Sequence, residues 1–301
     1  MEKIKDFNIR KGMRTEEIVG QMGSAGFQAE RLARGVEIIR EMRKEKAVVF
    51  LTFTANMVAS GLRSLFARMC EKRMVDVIIT TGGGIEHDFI RSFKPYLLGD
   101  FSLDDRVLRK KGMNRIGNII VPNDRYVLLE RKMQKLFKRI HRERKVTSPS
   151  ELAREMGKLT KDRGSFLYWA ERNRIPVFSP GITDSAIGLQ TYFFKQDHPD
   201  FGIDVTGDMK DLANIVLNAG KTGGIILGGG ISKHHAIGAN IVREGMDYAV
   251  YVTTSQPWDG SLSGARTNEA VSWGKINKRA NHITIDGDAT IVFPLLISEF
   301  L

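Results

Sequence analysis

Two apolar runs that each break into three consecutive glycines constrain this chain most. They are Asp76-Val77-Ile78-Ile79-Thr80-Thr81-Gly82-Gly83-Gly84 and Gly223-Gly224-Ile225-Ile226-Leu227-Gly228-Gly229-Gly230. A short apolar run ending in glycine reads as a buried strand that turns sharply into a helix. The same alternation recurs along the chain. Gln28–Lys44 has helical periodicity and Ala47–Phe53 reads as a strand. Ala55–Lys72 reads as a helix, Val75–Thr80 as a strand and Ile116–Val121 as another. Ser148-Pro149-Ser150-Glu151 is a capping box with proline at the first helical position, opening a helix through Leu159. Ser165–Asn173 and Asp208–Ala219 read as helices, Val177-Phe178 as a short strand. Gly224–Leu227, Tyr248–Thr253 and His282–Ile285 read as strands, and the chain closes on a short apolar helix. Strand followed by helix, repeated, predicts an α/β fold with a mainly parallel sheet and helices on both faces. No linker-like composition divides it. Residues 1–301 are therefore expected to form one domain, weakest at the basic junction Lys145–Ser150.

With 301 residues, 42% of them hydrophobic, a sizeable core is available. The longest apolar stretches are too short to span a bilayer, and Met1–Asp6 carries no signal-peptide core. The single cysteine, Cys70, lies in an apolar helical pattern and is expected to be a buried small hydrophobe. It leaves no intrachain disulfide and no cysteine metal site. These features predict a cytoplasmic protein with no metal. The net charge of +11 is concentrated in Arg131–Lys145, a basic amphipathic helix whose apolar stripe is Met133, Leu136, Phe137 and Ile140. Its charged face is either simply solvated or a docking surface for an acidic protein or RNA. No nucleic-acid module is recognisable, and a nucleic-acid role ranks last.

Three features can carry chemistry. The glycine runs either make tight turns or let backbone approach a ligand, and two such runs suit the halves of a dinucleotide. Ser232-Lys233-His234-His235 follows the second run directly, and a histidine there either serves structure or shuttles protons. In Asn268-Glu269-Ala270-Val271-Ser272-Trp273-Gly274-Lys275, a helix would set Glu269 and Trp273 on one face, able to hold an alkylammonium by charge and cation–π attraction. Lys275 is by spacing either a surface lysine or, in an apolar cation-lined pocket, an imine-forming nucleophile.

Taken together and in order, these features resemble deoxyhypusine synthases over nearly the full chain. The matching runs include Asp6-Phe7-Asn8, Asn114-Arg115-Ile116-Gly117-Asn118, Pro176-Val177-Phe178-Ser179-Pro180, Lys233-His234-His235, Asp247-Tyr248-Ala249-Val250-Tyr251 and the very specific Glu269–Lys275. The resemblance is to an archaeal-type member and implies a Rossmann-like NAD-binding fold. It implies that NAD dehydrogenates spermidine, that the imine passes its aminobutyl part to an enzyme lysine, and that a lysine of a translation factor then receives it. By motif position Lys275 would be the nucleophile, with His234 and Glu269 beside it. Asn56, Thr81, Gly82, Asp184, Gly229, Thr254, Ser255, Asp288 and Ala289 would lie near NAD. Glu86, His234, Gly260, Ser261, Glu269 and Trp273 would line the amine pocket. Homotetramers with sites shared across a dimer interface are implied as well.

The departures from the family pattern cluster. Leu189, Leu262 and His87 stand where the family is acidic, and Gly238 stands where it has asparagine. A charged contact to an ammonium is worth roughly 1.5–3 kcal/mol, so these changes predict altered amine binding. Alternatives are thus a paralogue using putrescine or agmatine, a homospermidine-synthase-like enzyme, and an NAD-binding regulatory subunit.

Overall fold

The computed structural model describes residues 3–301. The chain forms two compact units. The first holds the segment ending at Phe53, Lys72–Ile79 and Asp211–Leu301; the second holds Thr54–Glu71 and Thr80–Lys210. Among the described residues no helix is long and apolar enough to cross a membrane.

The first unit is built on parallel strands in the spatial order Ile276–Asp286, Met246–Thr253, Thr222–Leu227, Val48–Phe53, Val77–Thr80. Leu51 pairs with Ile225, Ile225 with Val250, and Val250 with Ile283, all in parallel register. The inner strands are almost wholly buried and mostly apolar because both faces are covered, whereas the edge strand Ile276–Asp286 exposes Lys278 and Arg279. Val250 Cγ1 lies 3.4 Å from where a Cβ on Gly35 would stand, so it faces the helix Phe27–Lys44. Its neighbour Tyr251 faces Lys233 of the helix Gly230–Ala239, with Nζ 4.4 Å from the ring centroid. Successive strand residues point to opposite faces. Helices therefore cover both faces, and the fold is the α/β arrangement expected. Gly35 is demanded by contact: a side chain there would meet Ile285 and Leu296 at 2.9 Å.

The strand order reverses beside Val48–Phe53, with Val77–Thr80 on one side and Thr222–Leu227 on the other. Such a switch point opens a crevice at the carboxyl ends of the strands. Those ends lead into Gly228-Gly229-Gly230, Thr254-Ser255 and Gly287-Asp288-Ala289.

In the second unit two expectations fail. Ala55–Lys72 is two helices, Ala55–Ala59 and Arg63–Glu71. The break falls where Ser60 turns extended and its hydroxyl donates to Met57 O at 2.7 Å, competing with the helical ladder. Ile116–Val121 is not one strand. It holds the turn of an antiparallel hairpin, Met113–Ile116 against Ile119–Pro122, reversed at Gly117-Asn118 with Gly117 at φ +59°. A two-residue Gly-Asn connection between apolar runs is the missed signal. The capping box at Ser148 and Glu151 forms as expected. The helix Asp124–Glu143 buries Met133, Leu136, Phe137 and Ile140, and Cys70 is fully buried.

Candidate active site

The Lys275 position is set by how its preceding helix stops. The helix Thr267–Ser272 ends with Gly274 at φ +65°, a left-handed conformation that favours glycine. The Gly274 amide then donates to Val271 O at 3.0 Å and the Lys275 amide to Ala270 O at 2.9 Å. That is a Schellman closure, with the two amides reaching back over the last turn. It reverses the chain at once, and Ile276 begins the edge strand. Trp273 and Lys275 thereby flank one glycine. The Lys275 Nζ lies 5.1 Å from the Trp273 ring centroid and 3.2 Å from His234 Nε2. Both Trp273 and His234 are exposed. Burial, and then the charge of Lys275, hold the His234 imidazole below its ordinary value. It is therefore neutral at pH 7 and able to accept a proton from the lysine.

A small cavity of about 30 Å³ adjoins this pair, with Lys233, Leu262, Arg266, Glu269, Trp273 and Lys275 among its walls. The cationic walls are already committed. Arg266 pairs with Asp286 at 2.6 Å. Lys233 is only 2% exposed and donates to Leu262 O at 2.8 Å and Ala265 O at 2.6 Å. Burial pulls the Lys233 ammonium down to about 8, against the opposing pull of Glu269. Glu269 is exposed, on the turn that ends in Trp273.

The loop over these walls is fastened from beneath. Thr253 donates to Ser263 O at 3.1 Å, and a Cβ on Gly229 would come 2.3 Å from Ser263 Cα. Gly229 thus lets the loop sit down on the strand ends. Within the loop, the Asp259 carboxylate accepts from Ser261 N and Oγ at 2.8 and 2.7 Å, which holds it below the usual carboxylate range, and Gly260 takes φ +71° between them.

The glycine runs resolve differently. In the first, added carbons would collide with Ser185 at Gly82, Ala55 at Gly83 and Thr80 at Gly84. Packing within the chain accounts for them. In the second, Gly230 is exposed at φ +68°, and a Cβ there would meet nothing within 4 Å. It opens a ten-residue helix at the carboxyl end of the switch-point strand. Open backbone at a helix N-terminus fits a dinucleotide phosphate. Thr254, Ser255, Asp288 and Ala289 follow the neighbouring parallel strands; Asp288 caps the terminal helix through Thr290 N at 2.7 Å.

The remaining sequence candidates lie in the second unit. Asn56 is exposed on Ala55–Ala59, and Thr81 caps Gly82–Arg91 through Gly84 N. Asp184 is exposed just ahead of the helix Ala186–Asp197, an element the sequence reading did not identify. Glu86 is buried, and its carboxylate accepts from Ala186 N at 2.6 Å. Burial pushes it up to about 7 and the Asp184 charge adds to this, while the amides of Ala186 and Ile187 pull it back. His87 is buried against the Tyr96 hydroxyl at 2.8 Å and is pulled down to about 4 by burial. Leu189 is half exposed.

Sequence reasoning missed Lys233 as an anchor and Gly274 as the positioning residue for Lys275. The signal for Gly274 was present: glycine one residue past a short helical run. Nothing in the sequence marks Lys233 as buried.

Comparison with known proteins decides the family. The family model for deoxyhypusine synthase matches residues 17–300. The chain belongs to the deoxyhypusine synthase family. It is 48% identical to a probable deoxyhypusine synthase of Pyrococcus furiosus, over 94% of this chain and 89% of that one. It is 42% identical to the deoxyhypusine synthase of Nicotiana tabacum, over 99% and 89%. A crystal structure of an Entamoeba histolytica protein assigned to the same family superposes with a TM-score of 0.73 at 25% identity, covering 98% and 96%. The chain is accordingly a transferase of the deoxyhypusine synthase class, whose reaction is NAD-dependent aminobutyl transfer. None of these comparisons favours the paralogue, homospermidine-synthase-like or regulatory-subunit readings.

Proposed function

We propose that Lys275 is the covalent carrier of the aminobutyl group, with His234 as its proton acceptor, spermidine as the donor and a translation-factor lysine as the final acceptor. The observation that carries this is the 3.2 Å contact between Lys275 Nζ and a neutral His234 Nε2. A lysine attacks a carbon only through its free amine, and a neutral imidazole at that distance takes the proton. Trp273 and Glu269 hold the incoming ammonium by ring face and charge. Leu262 offers an apolar wall to the methylene chain.

The residues that would hold NAD in the first unit are Gly229, Gly230, Thr254, Ser255, Asp288 and Ala289; Asn56, Thr81, Gly82 and Asp184 are carried over by motif position alone. NAD, when bound, would supply the hydride acceptor that turns the amine into an imine and, as NADH, the hydride that reduces the final imine on the acceptor lysine. Lys275 then adds to the imine carbon, the diamine leaves with a proton, and the aminobutyl group stays on Nζ as an imine. His234 holds and returns the proton at each exchange. Gly260 and Ser261 complete the proposed amine contacts, Glu86 is carried over by motif position alone, and homotetramer assembly, a cytoplasmic location and a single domain remain part of the reading.

Incubating the chain with NAD, spermidine and a hypusine-type translation factor tests this. The expected result is an aminobutyl mass increase on one acceptor lysine. A free polyamine product with an unmodified acceptor would contradict it.

A further inference from the structure

The helix Asp124–Glu143 sorts its cations into two classes. Its buried face is Leu129, Met133, Leu136, Phe137 and Ile140. Each residue turns the helix by about 100°, so positions 131, 135, 138 and 142 fall on one line, directly opposite that face. Arg131, Lys135, Lys138 and Arg142 occupy it, and all four are exposed. Neighbouring cations are engaged: Arg125 with Asp124 at 2.6 Å, Lys132 over Phe93 at 3.6 Å, Arg139 with Glu155 at 2.8 Å and Lys145 with Asp200 at 3.2 Å. Among the described residues, no ion pair, hydrogen bond or ring contact engages the four on the line. Glu130 and Glu143 sit about 110° to either side of it by the same helical geometry.

This arrangement costs the helix stability. The pairs 131/135, 135/138 and 138/142 are like charges at spacings where opposite charges stabilise. Only Arg142 is close enough to the C-terminus to gain from the helix dipole. The result is a straight row of cations about 16 Å long on a chain of net charge +11.

The chemistry of the row selects its partner. Protein interfaces are anchored by apolar and aromatic cores, and on this helix the exposed large apolar side chain is Val127, at one end of the row. A two-fold contact centred on the row would set it against the like-charged row of a second copy. Binding of a phosphate backbone needs cations alone. No aromatic side chain stands on the line to stack single-stranded bases, which favours a duplex. We infer that Arg131, Lys135, Lys138 and Arg142 form a sequence-independent docking surface for double-stranded RNA. The choice of RNA over DNA rests on the translation-factor reading above; the row itself does not.

The test uses the full chain and a labelled 20-base-pair RNA duplex, followed by fluorescence anisotropy across a salt series. Log affinity should fall with log salt with a slope of about −3 to −4, roughly 0.9 per neutralised phosphate. The fourfold variant R131Q/K135Q/K138Q/R142Q should lose about tenfold or more in affinity and most of that slope. Its circular dichroism and its NAD-dependent adduct at Lys275 should stay unchanged, so loss of RNA binding is separable from loss of the enzymatic reading. Absence of duplex binding at low salt would overturn the proposal. So would an equal loss in the charge-matched control K3Q/K5Q/R10Q/K11Q, tighter binding to polyglutamate than to RNA, or a preference for the matching DNA duplex.

Discussion

The buried ammonium of Lys233 donates to the carbonyl oxygen of Ala265 at 2.6 Å, and its second bond reaches Leu262 at 2.8 Å. One side chain thus fastens both ends of the segment that walls the candidate amine cavity. Lys233→Met should keep the fold but raise KM for the amine by about tenfold, the effect of one charged hydrogen bond, with a smaller change in kcat. A lowered melting point with KM unchanged would reduce Lys233 to a packing role. Because Lys233 sheds its proton near pH 8, wild-type KM should climb above that pH, while Lys233→Arg, charged throughout, should not follow. Stability moves the other way. Between pH 8 and 10.5 the unfolded chain holds a proton that the folded chain has lost, so this group favours folding as pH rises. The two effects are therefore read separately.

Gly274 joins Trp273 to Lys275 through a left-handed residue. Gly274→Ala strains that turn by about 1–2 kcal/mol and moves Nζ away from His234. The expected result is a fall of several degrees in Tm with a disproportionate loss of Lys275 adduct. An adduct yield that merely tracks the folded fraction would show that the turn does not position the lysine.

Burial, and then the charge of Lys275, keep His234 difficult to protonate. The acid limb of kcat should therefore lie below the ordinary imidazole value, and His234→Gln should abolish that limb while lowering kcat about 100-fold, within the usual range for a lost general base. An unchanged acid limb in the variant would assign it to another group.

How much of this was legible in advance follows from the kind of force involved. The parallel sheet was readable because strands covered on both faces carry almost no polar residues, as in Val48–Phe53 and Thr222–Leu227. The hairpin was legible too, in the Gly117-Asn118 pair, but reading Ile116–Val121 as one apolar run passes over that pair; the break at Ser60 was not, since it turns on a single local hydrogen bond. The run Glu269–Lys275 pointed to the site, but the Lys275–His234 contact joins residues 41 positions apart and exists only once the edge strand is in place. Lys233 is harder still. Its burial depends on carbonyls donated by a loop with no periodic signal.

Glu86 gives a separate test in the second unit. Its folded carboxyl titrates near 7 and its unfolded one near 4.5. The folded state therefore binds the extra proton between those values, and stability falls as pH rises through that window. A shift of this size corresponds to roughly 3 kcal/mol. Urea melts from pH 4 to 8 should show Glu86→Gln more stable than wild type above pH 7 and flatter between pH 4.5 and 7. Parallel curves would mean that Glu86 is not the group responsible.

The central claim is that Lys275 carries the aminobutyl group. The most direct measurement is intact mass after incubation with NAD and spermidine and trapping with borohydride, for wild type and Lys275→Ala, with putrescine and agmatine as parallel donors. A spermidine-derived aminobutyl adduct on wild type, absent from Lys275→Ala, is the predicted result. An adduct that survives the substitution, or none with spermidine while NAD binds normally, would contradict it.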